Sequence, residues 1–282
     1  MPIEVAAITP SIGAEVRGVD LARPLSEGVR AALRAALLEH LVLVFRDQPL
    51  TPEQHIAFAR EFGPIKRPPV ATSHGALPEL NVLDQSDPRG EGADNWHADN
   101  TYTATPPMGS ILRIVQLPGA GGDTAFASMY AAYEALSPVL RSLCDGLRAV
   151  HDVTRSLSKA IARGHSRANL RELQDQLPPV EHPVVVVHPE TGRRALFVNL
   201  NSTTRIQGLA EAESEMLLRF LFAHTKQPEF QLRVRWEPGS VVFLDNRCAQ
   251  HYAVADYRER RVLHRVAIEG ERPRGIEATC AG

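Results

Sequence analysis

Apolar residues recur at helical spacing in four segments of the chain, and this periodicity predicts amphipathic helices. The first segment has Ser26 at the N-cap position and Val29, Leu33 and Leu37 along one apolar stripe. The last segment, "EAESEMLLRFLFAH", predicts a single late helix. The four segments are residues 25–41, 51–63, 130–147 and 211–224.

The second of these segments carries the signals that begin and end a helix. Thr51 stands at the N-cap, and Gln54 follows three residues later, which is the pattern of a capping box. Gly63 comes after the last turn and predicts the end of the helix. The third segment is interrupted by Ser-Pro at residues 137–138, so we expect two short helices there.

Runs of β-branched and aromatic residues predict strands elsewhere. The run "LVLVFRD" predicts a buried strand after the first helix, and "HPVVVVHPETGRRALFVN" predicts a β-hairpin with its turn at residues 190–192. The C-terminal third of the chain carries three further strand patterns. These are "FQLRVRW", "GSVVFLDN" and "RRVLHRVAIE".

The order of the elements indicates the fold class. Helices cluster near the start and strands dominate the end, without alternation of strands and helices, which favours a β-sandwich or β-barrel core with helical decoration. Residues 64–94 and 151–180 are polar, charged or rich in proline, and we interpret both as long loops that serve as lids or binding elements. Neither resembles a linker, so we expect one domain over residues 1–282.

Composition excludes several classes of partner. Apolar residues make up 44% and charged residues 23% of the chain, as in ordinary globular enzymes. The formal charge is -2 and no basic stretch resembles a phosphate-binding footprint, so we expect no nucleic acid partner. No apolar run reaches the roughly 20 residues of a membrane span, and no signal peptide is evident. The three cysteines form no Cys-x-x-Cys pair, which favours a reducing cytoplasm.

The segment "DNWHADNTY" places His97 and Asp99 two residues apart. In a strand this spacing directs both side chains to one face, which suits a divalent metal, although a surface turn would also accommodate them. His251 follows the strand pattern "VVFLDN" and provides a distant third ligand. Two histidines and one carboxylate form a facial triad, which leaves three positions of the metal open.

The other histidines show no comparable pattern. We expect His55 and His224, which lie on helical patterns, to be surface or packing residues. His188 has no acidic or cysteine partner at ligand spacing. Asp245 and Asn246, which end a strand pattern, are interpreted as turn-forming residues.

Arg261 and Arg265 share one face of the last predicted strand, roughly 13 Å apart at about 3.3 Å per residue. Two anion sites beside a metal would use such a pair. The surrounding "YRERRVLHR" is rich in arginine, however, and an exposed basic stripe explains the same pattern. The spacing alone leaves both interpretations open.

Taken together, the motifs resemble one family. "DNWHADNTY", then "GGDT", then "DNRCAQHYA", then "RRVLHR" stand in an order and spacing similar to those of the taurine dioxygenase family of Fe(II)- and 2-oxoglutarate-dependent oxygenases. The resemblance implies a double-stranded β-helix, or jelly roll. It also implies Fe(II), 2-oxoglutarate and O2 as cofactors, succinate and CO2 as products, and hydroxylation of a small anionic organic substrate. We further expect a homo-oligomer, either a dimer or a tetramer.

The resemblance also assigns site residues. It implies that His97, Asp99 and His251 bind the iron. It implies that Thr124 and Arg261 hold the distal carboxylate of 2-oxoglutarate. The substrate anion would then be bound by two residues, Asn95 and Arg265.

The chain departs from taurine-specific members of the family. Positions that supply a histidine and aromatic rings there are occupied here by Pro68, Ala71 and Ser202, with His74 slightly downstream. These losses open the pocket and weaken sulfonate recognition, so alkyl sulfates, other sulfonates or aryloxyalkanoates are expected substrates. The alternatives are a zinc-dependent hydrolase and a non-catalytic protein that binds small anions.

Overall fold

The computed structural model describes residues 3–67, 77–85, 94–162 and 169–276, and β-strands form its centre. In this part of the chain the strands are β1 (Glu4–Ala7), β2 (Ala14–Arg17), β3 (Val42–Phe45), β4 (Ile65–Lys66), β5 (Asn81–Gln85), β6 (Gly109–Gln116), β7 (Thr124–Ser128), β8 (Arg148–His151), β9 (Val180–Pro183), β10 (Val185–Val187), β11 (Arg194–Leu196), β12 (Thr203–Ile206), β13 (Gln231–Val234), β14 (Val241–Asp245), β15 (Ala249–Ala253) and β16 (Arg261–Ile268).

Helices surround these strands. They are α1 (Glu27–His40), α2 (Pro52–Arg60), α3 (Met129–Glu134), α4 (Pro138–Asp145), α5 (Thr154–Ala162), α6 (Leu170–Gln176) and α7 (Glu211–His224). None of the described helices is both long and apolar enough to cross a membrane. The expectation of a mainly β fold with helical decoration is confirmed.

A large sheet and a smaller sheet carry the functional residues. The large sheet has the order β1-β2-β3-β14-β6-β16-β4, with β5 also paired to β16. The smaller sheet has the order β13-β7-β15. All of these pairs are antiparallel except β2 with β3. Two minor sheets, β10-β11 and β12-β8-β9, complete the described strands.

The central strands of the large sheet, such as β3 and β14, are buried on both faces, and alternate side chains enter different layers. One face packs through residues such as Val42, Leu112 and Leu263 against apolar residues of the smaller sheet. The other face packs through residues such as Leu43 and Phe243 against α1 and α2. A strand at the centre of this sheet therefore holds its inward side chains in fixed positions between two packed layers.

Most predicted elements are confirmed. The side chain of Ser26 accepts a hydrogen bond from Val29 N at the start of α1, and Thr51 and Gln54 form the capping box of α2. The third segment forms two short helices, α3 and α4, as expected, and Ser137 caps the N-terminus of α4. The predicted hairpin is formed by β10 and β11, and the late helix is α7.

The prediction of unstructured loops at 64–94 and 151–180 is wrong for the described part of both. The first contains β4 and β5, which pair with β16. The second contains α5 and α6, where Asp152 accepts hydrogen bonds from Thr154 N and from Gln174 Nε2 and so ties the two helices together. These elements depend on partners distant in sequence, and the local polarity of the segments therefore conceals them.

Candidate active site

His97 and His251 are brought together by the backbone. The two residues form an antiparallel bridge in which His97 N donates to His251 O at 3.0 Å and His251 N donates to His97 O at 2.8 Å. His251 lies inside β15, rather than after a strand as the sequence indicated. The centroids of the two imidazole rings are 4.1 Å apart. The bridge therefore holds the two rings side by side.

The tautomer of His97 follows from its local contacts. Its Nδ1 lies 2.7 Å from the carbonyl oxygen of Asn95, so Nδ1 carries the proton and donates it there. Nε2 is left with its lone pair directed to Asp99. Burial lowers the pKa of His97, and burial together with the neighbouring His97 lowers the pKa of His251 to about 3. Both imidazoles are therefore neutral and able to bind a metal at neutral pH.

Asp99 completes the cluster as the carboxylate. Its Oδ1 lies 3.9 Å from Nε2 of both His97 and His251. Its Oδ2 accepts a hydrogen bond from Ser110 Oγ at 2.7 Å. Burial alone would raise the pKa of Asp99, but Arg265, the two imidazoles and Ser110 outweigh this and hold it well below the usual range. The residue is therefore an anion, with one oxygen directed to the histidines.

These donors fit a divalent transition metal. One donor atom from each of His97, Asp99 and His251 lies within 4.8 Å of the other two. Two imidazole nitrogens and one carboxylate oxygen are the donor set of the 2-His-1-carboxylate facial triad. The hydrogen bonds on His97 Nδ1 and Asp99 Oδ2 supply the outer support that such ligands need. The three residues that the sequence singled out thus converge on one point.

Thr124 and Arg261 form a second polar centre. Arg261 Nη2 donates to Thr124 Oγ1 at 3.1 Å, and Arg261 Nε donates to the carbonyl oxygen of Gly122 at 2.8 Å. Trp236 Nε1 also donates to Thr124 Oγ1, at 3.0 Å. Because the hydroxyl already accepts two hydrogen bonds, its own proton is available to a ligand. A buried guanidinium beside such a hydroxyl is suited to binding a carboxylate.

The structure decides against an exposed basic stripe at Arg261. Its exposed fraction is 2%, whereas the side chain of the preceding Arg260 is 57% exposed and pairs with Asp84. Burial lowers the pKa of Arg261, and the ring of Tyr257 lies 5.8 Å from its guanidinium carbon. Leu263, on the same face of β16, lies in the core beside the smaller sheet. Arg261 therefore points inward, as the alternation along the strand requires.

Arg265 contacts Asp99, one of the three residues of the candidate metal site. Its Nη1 donates to Asp99 Oδ1 at 2.5 Å, and its side chain is 16% exposed. Tyr102 lies close by: burial raises its pKa to about 12, and its hydroxyl donates to Asn100 Oδ1 at 3.0 Å. Asn95, the other residue expected to bind substrate, is half-buried two residues before His97. Both expected substrate residues are thus near the triad.

Sequence reasoning missed three residues that support the site: Ser110, Trp236 and Asn246. Asn246 was interpreted as a turn residue, but its carboxamide is buried and binds the backbone of Asp99. Ser110 lies in β6, a strand that the sequence pattern had not indicated. The sequence gives a signal for Asn246 alone: the segment "LDN" places a polar pair directly after a buried strand pattern.

The sequence placed no acidic or cysteine partner at ligand spacing from His188, but the fold brings such partners beside it. Its Nε2 lies 3.1 Å from Asp245 Oδ2, and Cys248 is also close. Both oxygens of Asp245 also accept hydrogen bonds from Arg247, at 2.8 Å and 2.6 Å. Burial raises the pKa of Cys248 well above its ordinary value, so the sulfur remains a thiol. This cluster is therefore a buried ion-pair network that fixes the end of β14.

The positions that depart from taurine-specific members are only partly described. Pro68, Ala71 and His74 lie outside the described residues. Ser202 is 3% exposed, its backbone N–H donates to Asn199 Oδ1 at 3.0 Å, and its carbonyl accepts from Asp152 N at 2.8 Å.

Comparison with known proteins gives concordant results. A model of the family described as "Taurine catabolism dioxygenase TauD, TfdA family" matches residues 4–267. An α-ketoglutarate-dependent sulfate ester dioxygenase of Pseudomonas putida is 37% identical, covering 98% of this chain and 93% of that protein. An (S)-phenoxypropionate/α-ketoglutarate dioxygenase of Sphingobium herbicidovorans is 38% identical, covering 95% of each chain.

A solved structure agrees with these sequence matches. The crystal structure of a taurine dioxygenase from Burkholderia xenovorans superposes with a TM-score of 0.83 and 40% identity, covering 97% of this chain and 91% of the other. The match covers nearly the whole chain, so it is not limited to a shared core. The chain belongs to the TauD/TfdA family of dioxygenases.

Proposed function

We propose that this dioxygenase hydroxylates a small organic anion at the carbon next to its heteroatom, while 2-oxoglutarate is converted to succinate and CO2. Its cofactors are Fe(II), 2-oxoglutarate and O2. The observation that carries the proposal is the position of two inward arginines on one strand, one beside the triad and one beside Thr124. One guanidinium would bind the substrate anion, and the other would bind the distal carboxylate of 2-oxoglutarate.

His97, Asp99 and His251 are the proposed iron ligands. When bound, the iron supplies the O2-dependent oxidation of a C–H bond that is coupled to oxidation of 2-oxoglutarate. The protein supplies neutral imidazoles, an ionised carboxylate and open positions on the metal. The low pKa values of Asp99 and His251 favour the charge states that bind a metal ion over their protonated forms.

Thr124 and Arg261 are proposed to bind the distal carboxylate of 2-oxoglutarate. The guanidinium is buried and already held by Gly122 and Thr124, so little conformational entropy is lost when the ligand binds. The hydroxyl of Thr124 and the guanidinium of Arg261 would both donate hydrogen bonds to this carboxylate. Trp236 Nε1 donates to the oxygen of the same hydroxyl and so helps to hold it in place.

Arg265 and Asn95 are proposed to bind the anionic head of the primary substrate. Arg265 lies within hydrogen-bond distance of a metal ligand, so an anion on its guanidinium is placed next to the metal. Relatives that act on sulfate esters and on phenoxypropionate support an alkyl sulfate, sulfonate or aryloxyalkanoate as the substrate. Hydroxylation beside the ester or ether oxygen yields an unstable product that collapses to a carbonyl compound and the released group.

We also infer that the two main sheets form a double-stranded β-helix. The chain passes repeatedly between them, because β6, β14 and β16 lie in the large sheet while β7, β13 and β15 lie in the smaller one. His251 lies in β15 and His97 joins it through the isolated bridge, so residues from distant parts of the sequence meet there. We also propose that the protein is a cytoplasmic homo-oligomer. Size-exclusion chromatography with light scattering tests the oligomeric state directly.

Two other functions explain less of the structure. A zinc-dependent hydrolase could use the same triad, but it leaves the buried pair of Arg261 and Thr124 without a role. A non-catalytic anion-binding protein leaves the complete triad without a role.

The direct test is a screen of anions for stimulated succinate release. Purified protein with Fe(II), 2-oxoglutarate and O2 is assayed with taurine, a medium-chain alkyl sulfate and an aryloxypropionate, and with a neutral alcohol of matched size as control. We expect an alkyl sulfate or aryloxypropionate to stimulate succinate release most. Equal stimulation by the neutral alcohol would contradict an anionic substrate.

A further inference from the structure

We propose that Asn246 and Ser110 are positioning residues that fix Asp99 in the orientation needed for metal binding. This inference rests on the proposed function, since it concerns the same metal. Neither side chain is among the three ligands. Each is fully or almost fully buried, with exposed fractions of 1% for Asn246 and 0% for Ser110.

Asn246 clamps the backbone of Asp99. Its Oδ1 accepts from Asp99 N at 2.7 Å, and its Nδ2 donates to Asp99 O at 3.0 Å and to Pro107 O at 3.1 Å. The carboxamide thus pairs with both polar groups of one residue, as a neighbouring strand would. Only a side chain that both donates and accepts can make this pattern, so an aspartate at position 246 loses the two donated bonds.

The clamp is needed because Asp99 lies outside the strands. The next residue, Asn100, has a φ of 51°, so the chain turns sharply immediately after the ligand. Asparagine adopts this left-handed conformation more readily than most other residues, so the turn fits the residue present. The carboxamide of Asn246 supplies the hydrogen bonds to Asp99 N and Asp99 O that a neighbouring strand would otherwise supply.

Ser110 fixes the carboxylate rather than the backbone. Its hydroxyl donates to Asp99 Oδ2 at 2.7 Å, which stops rotation of the carboxylate and leaves Oδ1 directed to the two histidines. Arg265 Nη1 donates to the other oxygen, Oδ1, so both oxygens of the carboxylate are held by hydrogen bonds. Oδ1 is the oxygen that Asp99 would offer to a metal ion bound by the two histidines.

The two residues are themselves held in register with each other. Ser110 lies in β6 opposite Leu244 of β14, and Asn246 directly follows the end of β14. Asn246 N donates to Met108 O at 2.9 Å, and Asp245 is locked by Arg247 and His188. Two adjacent central strands therefore place both groups, and the position of the metal ligand depends on the sheet rather than on its own loop.

The test is metal affinity measured apart from turnover. The variants are Ser110→Ala, Asn246→Ala and Asn246→Asp, and the matched control is Ser128→Ala, which removes a buried hydroxyl that caps α3 without contacting the triad. Co(II) binding is measured by competition with a chelator. The visible absorption of the Co(II) protein reports the coordination geometry, and thermal unfolding of the metal-free protein reports stability.

We expect Ser110→Ala and Asn246→Asp to bind Co(II) roughly 10- to 100-fold more weakly than wild type and to change its absorption spectrum. Ser128→Ala should lose stability but keep the wild-type affinity and spectrum. Affinity and spectrum that change no more in the Ser110 and Asn246 variants than in Ser128→Ala would overturn the inference. If Asn246→Ala does not fold, Ser110→Ala, which removes one oxygen atom, decides the question. Absence of Co(II) binding by the wild type would contradict the proposed function and the inference with it.

Discussion

Replacement of Arg261 by lysine separates the geometry of the proposed 2-oxoglutarate site from its charge. Lysine keeps the positive charge but has one nitrogen, whereas Arg261 donates to Gly122 and Thr124 from two different nitrogens. A lysine that reaches the ligand must release those partners. The variant therefore loses at least one charge-assisted hydrogen bond, which contributes about 1.5–3 kcal/mol. This free energy corresponds to a roughly 10- to 150-fold higher KM for 2-oxoglutarate.

The assay is the initial rate of succinate formation as a function of 2-oxoglutarate concentration at saturating substrate. Arg260→Lys is the matched control, because that residue precedes Arg261 but is exposed and paired with Asp84. We expect Arg260→Lys to behave as wild type. An unchanged KM in Arg261→Lys, or an increase confined to Arg260→Lys, would refute this assignment of the co-substrate pocket.

Three other substitutions give independent predictions. Asp99→Ala should remove metal-dependent turnover while circular dichroism shows a folded protein; full activity would refute the triad. Arg265→Ala should raise KM for the anionic substrate roughly 10-fold or more and leave KM for 2-oxoglutarate nearly unchanged; an equal effect on both would show that Arg265 does not distinguish them. Burial, with Arg113 nearby, lowers the pKa of His55 from its ordinary 6.5 to about 3. Between these two pH values the unfolded chain binds more protons than the folded protein, so the stability of the fold decreases as the pH falls below 6.5. Urea unfolding at pH 7 and pH 5 should therefore show a loss that is about 2 kcal/mol smaller in His55→Gln than in wild type, and equal losses would contradict the low pKa.

The sequence predicts elements whose signals are local. The cap at Ser26, the capping box at Thr51 and the alternation along β16 each depend on a few adjacent residues, and all three are present in the structure. Local polarity is misleading where a segment is stabilised from outside. Strand β5 has a polar sequence, "NVLDQ", and forms because all five of its residues pair with β16.

The candidate site shows the same limit. The convergence of His97, Asp99 and His251 could be predicted because the His-x-Asp pair and the distant histidine stand among motifs that resemble one family. Its support could not, because a serine and an asparagine carry no such signal. Ser110 is 11 positions from Asp99 in the sequence, and Asn246 is 147 positions from it. Only the packed sheet shows that both side chains bind Asp99. The role of an ordinary polar residue becomes visible when its partner is known.

The most direct test of the account is the dependence of sulfate release on O2 and 2-oxoglutarate. A medium-chain alkyl sulfate is incubated with the Fe(II) protein, with and without each co-substrate, and sulfate, succinate and the organic product are quantified. We predict that sulfate appears only when both co-substrates are present, in equal amount with succinate and with an aldehyde. Sulfate released together with an alcohol under anaerobic conditions would show hydrolysis and would contradict the proposed oxidation.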